Sequence, residues 1–305
     1  MQADQAIVKG YALGFVGMLL FSLSLPGTRM AVPELGPGFV TAARLGLAGL
    51  MAAAYLLAAG SRPPARRHWR DLALVVAGVV LTFPLFTALA MREVGASHGG
   101  VVLAIMPLMT VATGAVVAGE RPSRQFWLAA LGGTGVVLAF VLYQGGGRLA
   151  WADVFLLMAG LGSATGYAAG ANMALRLPAL EVIAWALVAA VLPSLALCLA
   201  LWPADPSAVS GRAWGAVLYV AAFPQFLAFL FWYRGMALAG VGKVGQLQLL
   251  QVYCTLAFSA LLLGERVDLV TWLAALLTVL FVWLARRAPV ERTLSAEPHL
   301  KRRDT

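Results

Sequence analysis

Apolar residues in this chain come in long, nearly unbroken runs. They do not show the alternation of a half-buried strand or the narrow stripe of a surface helix. Ten runs of about 20 residues, the length a helix needs to cross the hydrocarbon core of a bilayer, fall at roughly 9–27, 37–59, 70–91, 98–118, 123–143, 150–171, 180–202, 211–234, 243–263 and 268–286. Turn-forming segments part them, among them Pro33-Glu34-Leu35-Gly36-Pro37, Pro63-Pro64, Gly145-Gly146-Gly147 and Pro203-Ala204-Asp205-Pro206. No connection is long enough to hold a soluble domain. The pattern predicts an all-α fold, a polytopic membrane bundle of ten transmembrane helices. The opening residues MQADQAIVKG lack a cleavage-site pattern, so the first run is expected to remain as a span.

Composition agrees with the pattern. Hydrophobic residues make up 61% of the 305 and charged residues 11%, against about 25% charged in a soluble domain. Mean hydropathy is +0.86. The net charge of +9 would suggest nucleic acid in a soluble protein, but here the basic residues gather in short loops and at the C-terminus. Sixteen of the 22 Lys and Arg lie on the side of the termini, five on the other, and Arg44 lies within a span. The positive-inside rule then puts both termini in the cytoplasm of a plasma (inner) membrane, with no nucleic-acid partner. Trp69, Trp127, Trp151, Trp202, Trp214, Trp272 and Trp283 fall near span ends, as interfacial anchors do. Cys198 and Cys254 have neither disulfide nor metal spacing and read as packing residues. No metal and no cofactor are expected.

The chain repeats itself. Shifted by 145 residues, positions 67–137 align with 212–282 without a gap, and 21 of the 71 positions are identical. The matches include Arg67/Arg212, Trp69/Trp214, Gly95/Gly240, Gly100/Gly245, Gly119-Glu120-Arg121 with Gly264-Glu265-Arg266, and the WLAAL runs beginning at Trp127 and Trp272. Each half holds five spans, an odd number, so the halves are expected to cross the membrane in opposite senses. Inverted repeats of this kind build carriers, because exchanging the two halves' conformations interconverts inward-open and outward-open states. The expected units are 1–146, the first five-span repeat, 147–288, the inverted second one, and 289–305, a basic cytoplasmic tail.

With ten spans in two halves, and Gly-Glu closing the fourth span of each, the chain resembles the EamA branch of the drug/metabolite transporter superfamily over its whole length. Within it, the length and the Ala/Gly/Leu-rich composition are similar to the YddG-type exporters of aromatic and other neutral amino acids. The resemblance implies a central cavity lined by spans 1, 3, 4, 6, 8 and 9.

No Asp or Glu sits at mid-depth in a span; Glu120, Glu265, Asp71, Asp153, Glu181 and Asp268 occupy span ends, where helix capping is the expected role. A carboxylate relay is therefore disfavoured, and His98 is the residue left that could titrate. The ninth span carries Gln246, Gln248, Gln251, Tyr253 and Thr255, too polar a set for a lipid-facing helix. These amides either contact solute or tie helices together by hydrogen bonds. Ser22, Ser24, Thr82, Phe83, Met106, Tyr167, Gln225 and Trp232 join them on the presumptive cavity spans, a mixture of rings, amides and hydroxyls suited to a neutral or aromatic solute. Arg44 is expected to snorkel or to cap a neighbouring helix rather than bind solute. The glycine ladders Gly10/Gly14/Gly17 and Gly162/Gly166/Gly170 predict close helix contacts, and Pro84, Pro107, Pro193 and Pro224 predict kinks.

The expected activity is that of a secondary carrier, an exporter of small neutral metabolites, with amino acids (aromatic ones included) as the leading class and alternating access as the mechanism. It is not expected to be an enzyme: no HExxH motif and no nucleophile–histidine pairing accompany His68, His98 and His299. Its partners are a small-molecule substrate and membrane lipid, and a monomer suffices. Export of nucleosides or amines and a channel-like facilitator remain open alternatives.

Overall fold

In the computed structural model the described residues are 2–106, 108, 109, 112, 113, 121–144, 146–174, 176–239, 247–287, 290 and 291. They are almost wholly helical. Helices α1 (Gln2–Ser22) and α2 (Ser24–Ala58) are followed by α3 (Trp69–Val75) and α4 (Phe83–Ala90), which a π-helical stretch, Val76–Thr82, joins into one rod. Then come α5 (Ala96–Leu103), α6 (Arg124–Gln144), α7 (Trp151–Ala174) and α8 (Ala179–Ala200). A second rod is made of α9 (Gly211–Ala222), a π-helical stretch Phe223–Leu227, and α10 (Ala228–Ala239). Helices α11 (Gln248–Leu263) and α12 (Leu269–Arg287) complete the bundle, and a two-residue antiparallel pairing joins Arg121-Pro122 to Val290-Glu291.

Among the described residues, six helical stretches are long and apolar enough to cross a membrane, and Leu250–Leu263 and Leu269–Ala285 are shorter apolar helices. The first stretch, Ile7–Ala58, is 52 residues long. At about 1.5 Å per residue it would exceed twice the ~30 Å hydrocarbon core. Gly36, with φ of 72°, breaks it between Pro33 and Pro37, which divides it into two membrane-length pieces. The outer surface is apolar: Leu57, Leu128, Leu131, Leu192, Leu199 and Leu261 are all exposed. That is the surface a lipid solvent requires and water does not.

Helix packing is symmetric between the halves. Helix α2 packs along α8, α6 along α12, and α5 against α11, each joining like positions of the two halves. Helix α1 packs on α10, and α7 packs on the α3–α4 rod. Both of these last contacts are glycine-mediated. A Cβ on Gly235 would stand 2.7 Å from the Gly10 carbonyl oxygen and the Gly14 nitrogen. One on Gly166 would stand 3.0 Å from the Val79 nitrogen. Backbones meet at both places, as the ladders predict.

The two π-helical stretches obey the same symmetry. Phe223–Leu227, moved back by the 145-residue repeat, falls on 78–82, the last five residues of Val76–Thr82. A π turn shifts one residue out of register and leaves carbonyls without their usual donors. Thr82 Oγ1 donates to the Ala77 carbonyl at 2.5 Å, satisfying one of them.

Candidate functional site

A buried polar group forms around Arg44, with Gln225 and Tyr167 beside it. Arg44 lies on α2, one helical turn beyond Thr41, whose hydroxyl faces the Pro84 carbonyl of α4 at 3.5 Å. Its guanidinium is 3% exposed, and its Nε donates to Gln225 Oε1 at 2.7 Å. Gln225 is itself buried, in the π-helical stretch between α9 and α10. Since Arg only donates, the amide oxygen must face it, which fixes the orientation of the Gln225 amide. Arg44 Nη1 is buried with no hydrogen-bond partner among the described residues. Tyr167 of α7 is the ionisable side chain close enough to act on Arg44 electrostatically. Arg44 thus neither snorkels nor caps a helix end, as its sequence suggested. An arginine at mid-span costs about 2.5–3.5 kcal/mol on insertion scales, and one amide oxygen is a thin return for it.

Aromatic rings flank this group. Tyr167 is half-buried and lines a small cavity with Val75, Val79, Ile183 and Phe229. Phe21 stands edge-on to Phe229 at 5.1 Å and to the buried Trp232 at 6.2 Å. Tyr55 meets Phe226 edge-on at 6.2 Å.

The break between α1 and α2 borders the same region. Pro26 has no N–H to give to the Ser22 carbonyl four residues back, and Thr255 Oγ1 of α11 donates to that carbonyl instead, at 3.0 Å. Tyr219 donates to the Leu20 carbonyl at 3.0 Å. Ser22 Oγ turns back to the Met18 carbonyl, while Ser24 Oγ is buried without a partner.

The structure therefore brings Gln225, Tyr167 and Trp232 into one region and sets Ser22 and Ser24 at the nearby break. Thr82 and Phe83, both half-buried, lie where the π-helical stretch enters α4, with Thr82 against Gly162. Met106 is half-buried just beyond α5. On α11, Gln251 is half-buried and its neighbour by one turn, Thr255, faces α1. Tyr253 turns the other way and stacks on Trp272 of α12 at 6.1 Å. Gln246, Glu120 and Pro107 lie outside the described residues, as does the side chain of Gln248. His98 is distant from this group in role: its Nε2 pairs with Asp153 Oδ1 at 2.7 Å, and Asp153 Oδ2 accepts from the Ala150 N–H to cap α7.

Sequence reasoning did not place Arg44, Phe21 or Phe229 in this buried group. Arg44 carried a signal, being the one cation within a span.

Loop carboxylates join the halves. Glu265 accepts from the Ala96 and Ser97 N–H groups at 2.7 and 2.8 Å and from the Ser97 hydroxyl at 2.6 Å, so it caps α5. Gly264 ends α11 with φ of 68°, the left-handed turn that aims Glu265 across. Gly95 lets the carboxylate approach, since a Cβ there would sit 2.9 Å from it. Glu34 accepts from the Ser210 N–H and hydroxyl at the start of α9, both at 2.7 Å. These bonds hold Glu34 below the usual carboxylate range. Glu181 accepts from Ser61.

A lipid-compatible helical bundle with paired halves, broken helices and a polar group enclosed at its centre defines a multi-pass membrane transporter. The EamA-like transporter family model matches the chain twice, over residues 8–142 and 150–287, and the chain belongs to that family. It is 38% identical over 279 residues to the uncharacterized transporter YdeK of Bacillus subtilis, covering 92% of this chain and 97% of that one. It is 21% identical over 285 residues to the uncharacterized transporter sll0355 of Synechocystis, covering 87% and 86%. A solved crystal structure aligns with a TM-score of 0.59 at 26% identity, over 90% of this chain and 97% of its own. Both relatives are named as transporters.

Proposed function

We propose that this protein is a secondary carrier of ten spans in two inverted repeats, 1–146 and 147–288, followed by a basic tail. It works in the plasma membrane with both termini in the cytoplasm, and it exports small neutral metabolites, amino acids foremost, by alternating access. The observation that carries this reading is the coincidence of the two π-helical stretches under the 145-residue shift. Two broken rods, each seated on a glycine-bearing helix of the other half, are supports for a motion in which the halves exchange conformations. The rings Trp232, Phe21 and Phe229 beside Arg44 and Gln225 suit a solute with an apolar and a polar end. Half-buried Gln251 on α11 is the further amide this reading assigns to the solute.

Counterflow tests the reading. Purified protein in liposomes loaded with unlabelled amino acids, nucleosides or amines should draw in the matching labelled solute against no net gradient. Trans-stimulation of this kind separates a carrier from a channel-like facilitator, which shows none. A two-sided assay with inward- and outward-oriented vesicles then reads the direction. Absence of counterflow for every class would overturn the carrier reading.

A further inference from the structure

We propose that Arg44 is the receptor for a carboxylate, so that the transported solutes are monocarboxylates, amino-acid zwitterions among them, and not uncharged nucleosides or amines. The proposal deepens the carrier reading and rests on it for the word "transported", though not for binding. Three observations converge. Arg44 is 3% exposed, yet its Nη1 has no partner among the described residues. The ion pair His98–Asp153 lies at helix ends, and among the described residues no carboxylate acts on Arg44. A cation so placed still has a buried donor, Nη1, to satisfy, and a carboxylate is the group whose two oxygens match a guanidinium fork.

The neighbours fit the same ligand. Gln225 Oε1 accepts from Arg44 Nε, which holds the guanidinium in place and leaves its Nη atoms for a ligand. Tyr167 lies within electrostatic reach and lines the adjoining cavity. Its hydroxyl can donate to a carboxylate but cannot neutralise Arg44 while protonated. Phe229, on the far wall of that cavity, and Phe21 against it offer apolar surface for the remainder of the solute. Gln225 lies in a π-helical stretch, a feature that recurs at functional sites because it turns side chains out of their helical register. A purely structural arginine would be expected to have its remaining N–H groups satisfied by carbonyls or a carboxylate, since a buried donor left unmade destabilises the fold.

The test is ligand binding to the purified full-length chain in detergent, read by thermal shift and titration. The probes are phenylalanine, leucine and 3-phenylpropionate, set against phenylalaninamide, phenethylamine and uridine. The wild type should bind the three carboxylates and not the other three. Arg44→Gln should weaken carboxylate binding ten- to a hundredfold, and Arg44→Lys should weaken it less. Gln225→Glu is the second variant, valuable should Arg44→Gln fold poorly. It supplies an internal carboxylate, so it should raise thermal stability and abolish binding of all three acids. Equal binding of acids and their amides by the wild type would overturn the proposal. So would unchanged acid binding in Arg44→Gln or Gln225→Glu, or failure of all three acids to bind. Counterflow of uridine or phenethylamine that survives Arg44→Gln would keep the carrier and sink the carboxylate. Acid binding without counterflow would keep the site and sink the carrier.

Discussion

Replacing Glu265 by Ala should loosen the contact between the halves by an amount the geometry sets. The carboxylate receives three hydrogen bonds, from the Ala96 and Ser97 N–H groups and the Ser97 hydroxyl, at 2.6–2.8 Å. Bonds to a charged acceptor are worth about 1.5–3 kcal/mol when fully buried. Glu265 is half-buried, so about 1 kcal/mol for each is the right order. The negative charge at a helix N-terminus adds about 0.3–1 kcal/mol. Glu265→Ala should therefore cost about 3–4 kcal/mol, and Glu265→Gln, which keeps one acceptor oxygen, about half of that. Equilibrium unfolding followed by tryptophan fluorescence measures both. The sharper test is coupling: Ser97→Ala should cost about 1 kcal/mol in the wild type and almost nothing once Glu265 is gone. Gly95→Ala should behave alike, because the three atoms its Cβ would meet first, all at 2.9 Å, belong to the Glu265 carboxylate. Additive costs in both cycles, or a Glu265→Ala cost below about 0.5 kcal/mol, would refute the cap.

Gly166→Ala should force α7 off the α3–α4 rod, because its Cβ would lie 3.0 Å from the Val79 nitrogen; overpacking of this kind costs about 1–3 kcal/mol, and unfolding midpoints equal to wild type would count against it. Cysteines placed at Arg121 and Arg266 should react with a membrane-impermeant maleimide from opposite faces; labelling from one face would overturn the inverted repeat. Acid should weaken the loops: hydrogen bonds from Ser210, Ser207 and Thr271 hold Glu34, Asp205 and Asp268 below the usual carboxylate range. Groups so depressed add stability that is present above the unfolded value of about 4 and is lost as pH falls through the lower folded value. The unfolding midpoint should therefore hold from pH 7 to about 5 and fall below about pH 4, and Ser210→Ala should shrink that fall.

Much of the architecture could be read along the chain because lipid imposes a simple rule, about 20 apolar residues per crossing. The rule gives depth in the membrane but says nothing of azimuth. Hence Arg44 was legible as a cation at depth and not as a partner of Gln225, which lies 181 residues away and on another helix. The π-helical stretches were legible only through the nearby prolines, Pro84 and Pro224, since their cause is a slipped backbone register with no side-chain signature. Tyr253 shows the same blindness in reverse: its place on a polar helix suggested the cavity, and a stacking partner on α12 takes it elsewhere. The Gly-Glu repeat was visible as identity, but its meaning needed the third member, Gly95, and a contact across the halves.

That identity extends to chemistry in one respect and departs from it in another, and the departure bears on how a symmetric scaffold holds an unsymmetric solute. The repeat carries Gly95 onto Gly240 and Glu265 onto Glu120 in the sequence. The π-helical stretches also superpose, yet the residue equivalent to Gln225 is Val80. Val80 is wholly buried among apolar neighbours, and Gln225 holds Arg44. The backbone thus keeps two like hinges while the side chains make one wall polar and the other apolar.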